Sequence, residues 1–321
     1  MTMGRKILLD VDTGNDDAIL LAMMLAAEDI DVVGITTVAG NSTLTNTTQN
    51  TLSVLELLDR TDVPVAKGAE RPFVRDHCGA EWVHGENGLR GDLPGPTPSP
   101  VDQTAMEFIC EQVATHGTDL TIAAVGPLTN IALAIANRLT LPDEIDELYL
   151  MGGAAHTHGN TTPVAEFNFW GDPEAASRVM QDGFPRMVGL DVTNQATVLP
   201  EFVDKLEDAA PPLTTVAQWF DYPDELMKVE YGTTVPAIHD GVVGADIIGN
   251  VLEYESYYVE VDTTDGPSRG AVICDVLEIM ETEVNVVSED RNHLSPTGYV
   301  AESIDIDHFR EIISETIFSY N

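Results

Sequence analysis

Lysine is scarce in this 321-residue chain, which has only Lys6, Lys67, Lys205 and Lys228, and its 15 lysines and arginines face 54 aspartates and glutamates. The formal net charge of -39 repels nucleic acid and anionic membranes, so neither is expected as a partner. Cysteine is also rare. Cys78, Cys110 and Cys274 are odd in number and far apart, which gives neither a disulfide framework nor a zinc-ligand spacing. No apolar run reaches the length of a transmembrane helix. Met1 to Lys6 leads straight into a strand-like stretch, without the apolar region and small-residue cleavage site of a signal peptide. A soluble cytoplasmic protein is therefore expected.

The carboxylates are scattered in ones and twos through patterned segments rather than gathered into a block, which argues against an acidic tail. A surface adapted to concentrated salt is the preferred reading. In molar salt, screening acts over a few ångströms, and self-repulsion that is damaging in dilute buffer becomes tolerable.

Apolar residues make up 43% of the chain, enough for a sizeable core, and one large α/β domain spanning residues 1–321 is the simplest organisation. Short apolar runs bounded by turn residues recur at Lys6 to Val11, Asp31 to Val38, Leu120 to Val125, Glu147 to Met151 and Arg186 to Leu190. Between and after them come helical patterns at Asp16 to Ala27, Leu44 to Leu58, Thr104 to Thr115, Leu128 to Asn137, Pro173 to Gln181, Glu201 to Ala209, Leu213 to Met227 and His239 to Asn250. This alternation predicts an open, mostly parallel α/β sheet flanked by helices, with Tyr257 to Val261 and Val284 to Val287 closing it. The proline-rich stretch Asp92 to Pro100 predicts a surface loop.

The segment Asp10-Val11-Asp12-Thr13-Gly14-Asn15-Asp16-Asp17 puts four carboxylates where the first strand ends and the first helix begins. Ligands of open α/β sheets bind outside the carboxyl ends of strands, and a helix N-terminus favours negative charge. Asp10 and Asp12 share a strand face. Four crowded carboxylates destabilise one another unless protons or a cation neutralise them. Calcium, with about six to eight oxygen ligands and tolerance of irregular geometry, suits such a cluster better than magnesium. The plainer alternative is that Asp16 and Asp17 merely cap the helix. An EF-hand is excluded, because its fifth position would be Gly14. A phosphatase of the haloacid dehalogenase type also opens with Asp-x-Asp on a first strand, but neither Lys205 nor Lys228 has the context that chemistry needs.

Further segments complete a pattern: Val38-Ala39-Gly40-Asn41, Val125-Gly126-Pro127-Leu128-Thr129-Asn130, Met151-Gly152-Gly153, Val164-Ala165-Glu166-Phe167-Asn168-Phe169 with Asp172-Pro173-Glu174-Ala175-Ala176, and Ile238-His239-Asp240. With Asp12 to Ala18, these elements closely resemble the nucleoside hydrolase family of the inosine-uridine-preferring type, in order from Lys6 to about Asp246. The resemblance implies calcium-dependent hydrolysis of the N-glycosidic bond of a ribonucleoside. It also implies a calcium ion held by Asp12, Asp17, Asp240 and the Val125 carbonyl, and assembly as a homodimer or homotetramer. The family usually has proline where Thr13 stands, so a looser turn is expected here.

Cleaving a ribosyl C–N bond passes through an oxocarbenium-like state, which needs negative charge near the sugar, an activated water and stabilisation of the departing base. Calcium lowers the pKa of the water it holds, and Asp12 is placed to take the proton as general base. Asp10 is expected to orient this cluster from behind. By resemblance, Asp16 reads the 2′-hydroxyl, Asn168 lies near the 3′ side, Asn160 and Glu166 hold the 5′-hydroxyl, and His239 protonates the leaving base. Asn41 looks like a further hydroxyl reader. Histidine suits proton exchange near neutral pH, although a lone histidine is more often a plain hydrogen-bonding residue.

The stretch His84 to Gly88 suits a loop closing over substrate, with His84 near the ligand. Tyr222 or Tyr231 could stack on the base or pack in the core. The pair His156-x-His158 has no third zinc ligand of suitable spacing. Two rivals remain: a metal-dependent phosphatase, and a nucleoside- or ribose-binding protein without turnover, which would need neither Asp12 nor His239.

Overall fold

A computed structural model describes residues 4–222, 236–277 and 295–321. Its strands are β1 (Arg5–Val11), β2 (Ile30–Thr37), β3 (Val65–Lys67), β4 (Val101–Thr104), β5 (Leu120–Ala124), β6 (Glu147–Met151), β7 (Arg186–Val188), β8 (Leu252–Tyr257), β9 (Val259–Val261), β10 (Val272–Cys274) and β11 (Gly298–Ile304). Nine of them form one sheet in the order β4-β3-β2-β1-β5-β6-β7-β11-β8. All its pairings are parallel except that of β8 with β11.

Alternation along the strands explains the layers, because successive side chains leave opposite faces. In β1, Ile7, Leu9 and Val11 enter one buried cluster and Leu8 the other. In β5 and β6, Ala123, Tyr149 and Met151 join the first cluster, while Ile122, Ala124, Leu148 and Leu150 join the second. Strands buried on both faces read as continuous apolar runs, which is why the five central ones are visible in the sequence. The helix Asn15–Ala26 is buried from Asn15 to Leu25 because it packs against the helices His239–Gly249 and Ile306–Phe318. Its sequence, Ala-Ile-Leu-Leu-Ala-Met-Met-Leu from Ala18, is accordingly apolar all round.

The five central strands and most of the expected helices lie within two residues of their predicted bounds. The exceptions concern the sheet edges and the later part of the chain. Val259–Val261 is not in the main sheet but pairs with Val272–Cys274 in a separate antiparallel ribbon. The main sheet instead ends in β11 and β8, neither of which was anticipated as sheet closure. Val284 to Val287 lies outside the described residues, as does the end of the segment Leu213 to Met227, whose observed helix is Leu213–Gln218. Strands β3 and β4, three and four residues long, are too short to show a period. The helix Ile306–Phe318, also not anticipated, turns Phe309, Ile312, Ile313 and Ile317 inward.

The strand order places the site. From β1 the chain moves outward through β2, β3 and β4 on one side, and β5 returns on the other. This reversal is a switch point, and the crevice it opens lies at the carboxyl ends of β1 and β5.

Candidate active site

Asp12 follows β1, Val125 follows β5, Asn41 lies beyond β2 and Met151 ends β6, so four strand ends converge on one crevice. The resulting cleft has about 730 Å³ of space, continuous with solvent, and is lined by Asp12, Asp16, Asn41, Val125, Asn168 and Asp240 at its polar end. His84, Asn160, Glu166 and His239 also line it. Ten of the twelve residues expected at the site therefore line one cleft. Asp10 and Asp17 are fully buried behind the lining.

Asp17 is held firmly. One carboxylate oxygen accepts from the Asp12 backbone N–H at 3.1 Å, and the other accepts from the Gly14 N–H at 2.9 Å and from Asn41 Nδ2 at 3.1 Å. Capping is thus part of its role, because the bond from Gly14 closes the first turn of the helix. Asp12 accepts from the Asn41 backbone N–H at 2.7 Å. A Cβ added at Gly40 would stand 2.0 Å from one Asp12 carboxylate oxygen, and one at Gly126 2.7 Å from the other. The Asp12 carboxylate therefore sits in a slot that only glycine leaves open.

Asp16, Asp17 and Asp240 offer carboxylate oxygens that all lie within 4.8 Å of one another, the one such group of potential metal ligands among the described residues. Asp240 arrives at the first turn of the helix His239–Gly249. Asp12 is not in this group but lines the same cleft. Burial pushes Asp16 up to about 7, helped by the charge of Asp17. Burial also raises Asp12 and Asp240 well above the carboxylate range, with the charge of Asp17 adding to the first and that of Asp16 to the second. Two carboxylates about 4 Å apart repel by roughly 4 kcal/mol at an effective dielectric constant of about 20. Among the described residues no lysine or arginine pairs with any of the four. An all-oxygen, negatively charged donor set of this kind fits a hard divalent cation.

Asn168 Nδ2 donates to the carbonyls of Val125 at 2.7 Å and Met151 at 3.1 Å. The Val125 carbonyl keeps a second lone pair. Glu166 accepts from the backbone N–H groups of Asn168, Phe169 and Gly153 at 2.9, 3.1 and 2.9 Å, and burial lifts it to about 7. It caps the helix Phe167–Gly171 and so fixes Asn168. Asn160 lies at the exposed rim.

Behind the cleft, Asp10 accepts from Thr36 Oγ1 at 2.5 Å and Asn130 Nδ2 at 2.7 Å. Burial lifts it to about 7. Asn130 also donates to the Thr37 carbonyl and accepts from the Ala69 N–H, a brace that sequence reasoning left unassigned although it stands in a quoted motif. Thr13 stands in the turn where the family usually has proline. It is fully buried, its hydroxyl lies 2.7 Å from that of Thr51, and its carbonyl accepts from Asn50 Nδ2.

The Asn15 backbone N–H donates to His84 Nδ1 at 3.1 Å, which makes Nε2 the protonated nitrogen of the neutral ring. Burial lowers His84 to about 3, so it stays uncharged. Burial likewise lowers His239 to about 4. The His84 and Tyr222 rings meet edge to face, with centroids 6.3 Å apart. Tyr222 lines the cleft, and Tyr231 lies outside the described residues. His156 pairs with Glu302 at 2.9 Å, and among the described residues neither His156 nor His158 belongs to a metal-ligating group. Trp82, Met151, Thr161 and Phe167 also line the cleft and were not predicted.

These features define a doubly wound α/β protein with a buried carboxylate cleft, the kind of site that holds a hard cation. Residues 7–311 match the family model described as inosine-uridine preferring nucleoside hydrolase. A pyrimidine-specific ribonucleoside hydrolase, RihB, of Escherichia coli is 36% identical over 98% of both chains. Among solved structures, a purine-preferring ribonucleoside hydrolase from Gardnerella vaginalis superposes with a TM-score of 0.88 at 28% identity over 98% of both chains. A plant nucleoside hydrolase does so with a TM-score of 0.86 at 25% identity over 98% of both chains. The chain belongs to the inosine-uridine-preferring nucleoside hydrolase family. It is accordingly a nucleoside hydrolase, an enzyme that cleaves an N-glycosidic bond.

Proposed function

We propose that the enzyme hydrolyses ribonucleosides to free base and ribose with calcium as cofactor. The observation that carries this reading is the meeting of Asp16 and Asp17, from the first strand-to-helix turn, with Asp240 from a distant helix in a cleft that Asp12 also lines. Asp12, Asp17, Asp240 and the Val125 carbonyl would hold the ion, and the position of Asp16 supports its sharing that task while reading the 2′-hydroxyl. Calcium supplies Lewis acidity towards water and a grip on neighbouring hydroxyls.

Asp12 accepts the proton of the attacking water as the bond from oxygen to the anomeric carbon forms. The C–N bond breaks with its electron pair going to the base, which takes a proton from His239 in its imidazolium form, the minor form near neutral pH because burial lowers the ring to about 4. Buried carboxylates beneath the ribose favour the positive charge that develops there. Asn168 and Asn41 bind sugar hydroxyls, and Asn160 and Glu166 serve the 5′ side. The three backbone donors on Glu166 support a role for it in shaping that end as well. His84 lies near the base as a neutral donor.

The identity with pyrimidine-specific relatives makes uridine the first substrate to try, with inosine beside it. Incubation with either nucleoside and calcium should release reducing sugar, and no release from any ribonucleoside would refute the proposal. The enzyme's expected setting is the cytoplasm, as a homodimer or homotetramer, and light scattering coupled to size-exclusion chromatography tests the assembly.

A further inference from the structure

The carboxylate of Asp12 is steered by one peptide unit. The Gly40–Asn41 peptide presents the Asn41 N–H to Asp12 at 2.7 Å, and the carbonyl of that same peptide, belonging to Gly40, lies 2.9 Å from Nε2 of His77. A carbonyl can only accept, so Nε2 is the donor. The two bonds form one chain, from the His77 ring through the peptide to Asp12. Bonds in such a chain polarise one another, so a donor at the carbonyl strengthens the N–H at the other end.

This peptide is one that needs fixing. Gly40 leaves room for Asp12, since a Cβ there would stand 2.0 Å from a carboxylate oxygen, but glycine also leaves its backbone the freest to turn. Rotation about the bonds flanking the peptide would swing the Asn41 N–H away from Asp12. The peptides on either side are fastened by backbone bonds, from the Gly40 N–H to the Ser42 carbonyl and from the Ala80 N–H to the Asn41 carbonyl. The Gly40 carbonyl is fastened by a side chain, that of His77. His77 is half-buried and is absent from the described residues that line the cleft, so its route to the chemistry runs through Asp12.

We propose that His77 is a positioning residue for hydrolysis: it locks the Gly40–Asn41 peptide so that the Asn41 N–H keeps the Asp12 carboxylate aimed at the attacking water. This deepens the proposed function and rests on Asp12 as its base. A neutral ring protonated at Nε2 and an imidazolium both donate to the carbonyl. The position therefore calls for a donor of the right length and not for a titrating group.

His77→Leu should lower kcat for uridine about tenfold, short of the roughly 100-fold that an ångström of misplacement can cost. KM should stay within about twofold, because contacts with sugar and base are untouched. His77→Gln, whose amide reaches the same carbonyl, should restore most of the rate. Should His77→Leu fail to fold, His77→Asn, polar but too short, gives the same comparison with His77→Gln. Hydrogen exchange followed by NMR on calcium-free protein supplies a readout independent of activity. The Asn41 amide should exchange about fivefold faster in His77→Leu, as expected for loss of one hydrogen bond, and at the wild-type rate in His77→Gln, with the Ala80 amide unchanged in both. Wild-type kcat in His77→Leu overturns the proposal, as does a loss that His77→Gln fails to restore. Equal loss of protection at Asn41 and Ala80 also overturns it, since the whole turn would then have loosened. A wild type inactive on every nucleoside would instead overturn the functional reading beneath it, while the exchange rates would still report on the peptide.

Discussion

His239 Nδ1 lies 2.8 Å from Thr193 Oγ1. A hydroxyl both donates and accepts, so this bond survives whether Nδ1 carries a proton or not, and the ring keeps one orientation through a proton-transfer cycle.

If His239 serves the leaving base, its importance must depend on the leaving group. His239→Gln should slow uridine or inosine cleavage by roughly 10²- to 10⁴-fold while barely affecting 4-nitrophenyl riboside, whose phenolate departs without a proton. Thr193→Val should show the same selectivity to a smaller degree, and Thr193→Ser should restore the rate. Equal losses on both substrates would remove the acid role from His239.

The slot around Asp12 yields a second test. A methyl group at Gly126 would stand 2.7 Å from an Asp12 carboxylate oxygen, so Gly126→Ala must displace that side chain. The variant should lose at least about 100-fold in kcat, since small misplacements of catalytic groups carry losses of that order, while remaining folded by circular dichroism. Asp12→Asn should bind ribosides and lose nearly all turnover. A fully active Asp12→Asn enzyme would end the general-base assignment.

Cation binding and pH are linked through the buried carboxyls. Burial raises Asp10, Asp16 and Glu166 from ordinary carboxylate values to about 7, so the folded state holds more protons than the unfolded one between roughly pH 4 and 7. Stability therefore falls as pH rises through that window and then levels off. Calcium-free protein in molar KCl should show this decline in Tm. Calcium added at pH 8 should reverse much of it, by about 5 °C at roughly 100-fold excess over Kd, with proton release measurable by calorimetry in two buffers. A Tm indifferent to calcium would argue against a bound ion.

The acidic surface gives a fourth expectation. Most of the few cationic side chains already pair with carboxylates, as in Lys6–Asp31, Arg60–Asp62, Arg186–Glu147 and Arg269–Glu174. The excess negative charge is left to repel itself, and molar salt shortens that repulsion to about 3 Å. Tm should climb steeply from dilute buffer to molar KCl, and a flat profile would remove the salt-adapted reading.

Sequence alone determined what is local or repeated. The central strands and their helices were legible because burial on both faces writes continuous apolar runs, and the acidic turn was legible because its four carboxylates are adjacent in the chain. Tertiary structure decided what depends on partners far away. Asp16 rather than Asp12 joins Asp17 and Asp240 in the tight trio, because the Asp12 carboxylate is drawn into the slot between Gly40 and Gly126. Strand β11 completes the sheet and Val259–Val261 does not, a choice set by which edge is open once β7 is in place. Trp82 and Tyr222 became site residues only when their turns were folded against the strand ends. Propensity reaches a few residues along the chain, whereas a site at a switch point is built from segments that meet only after the sheet has formed.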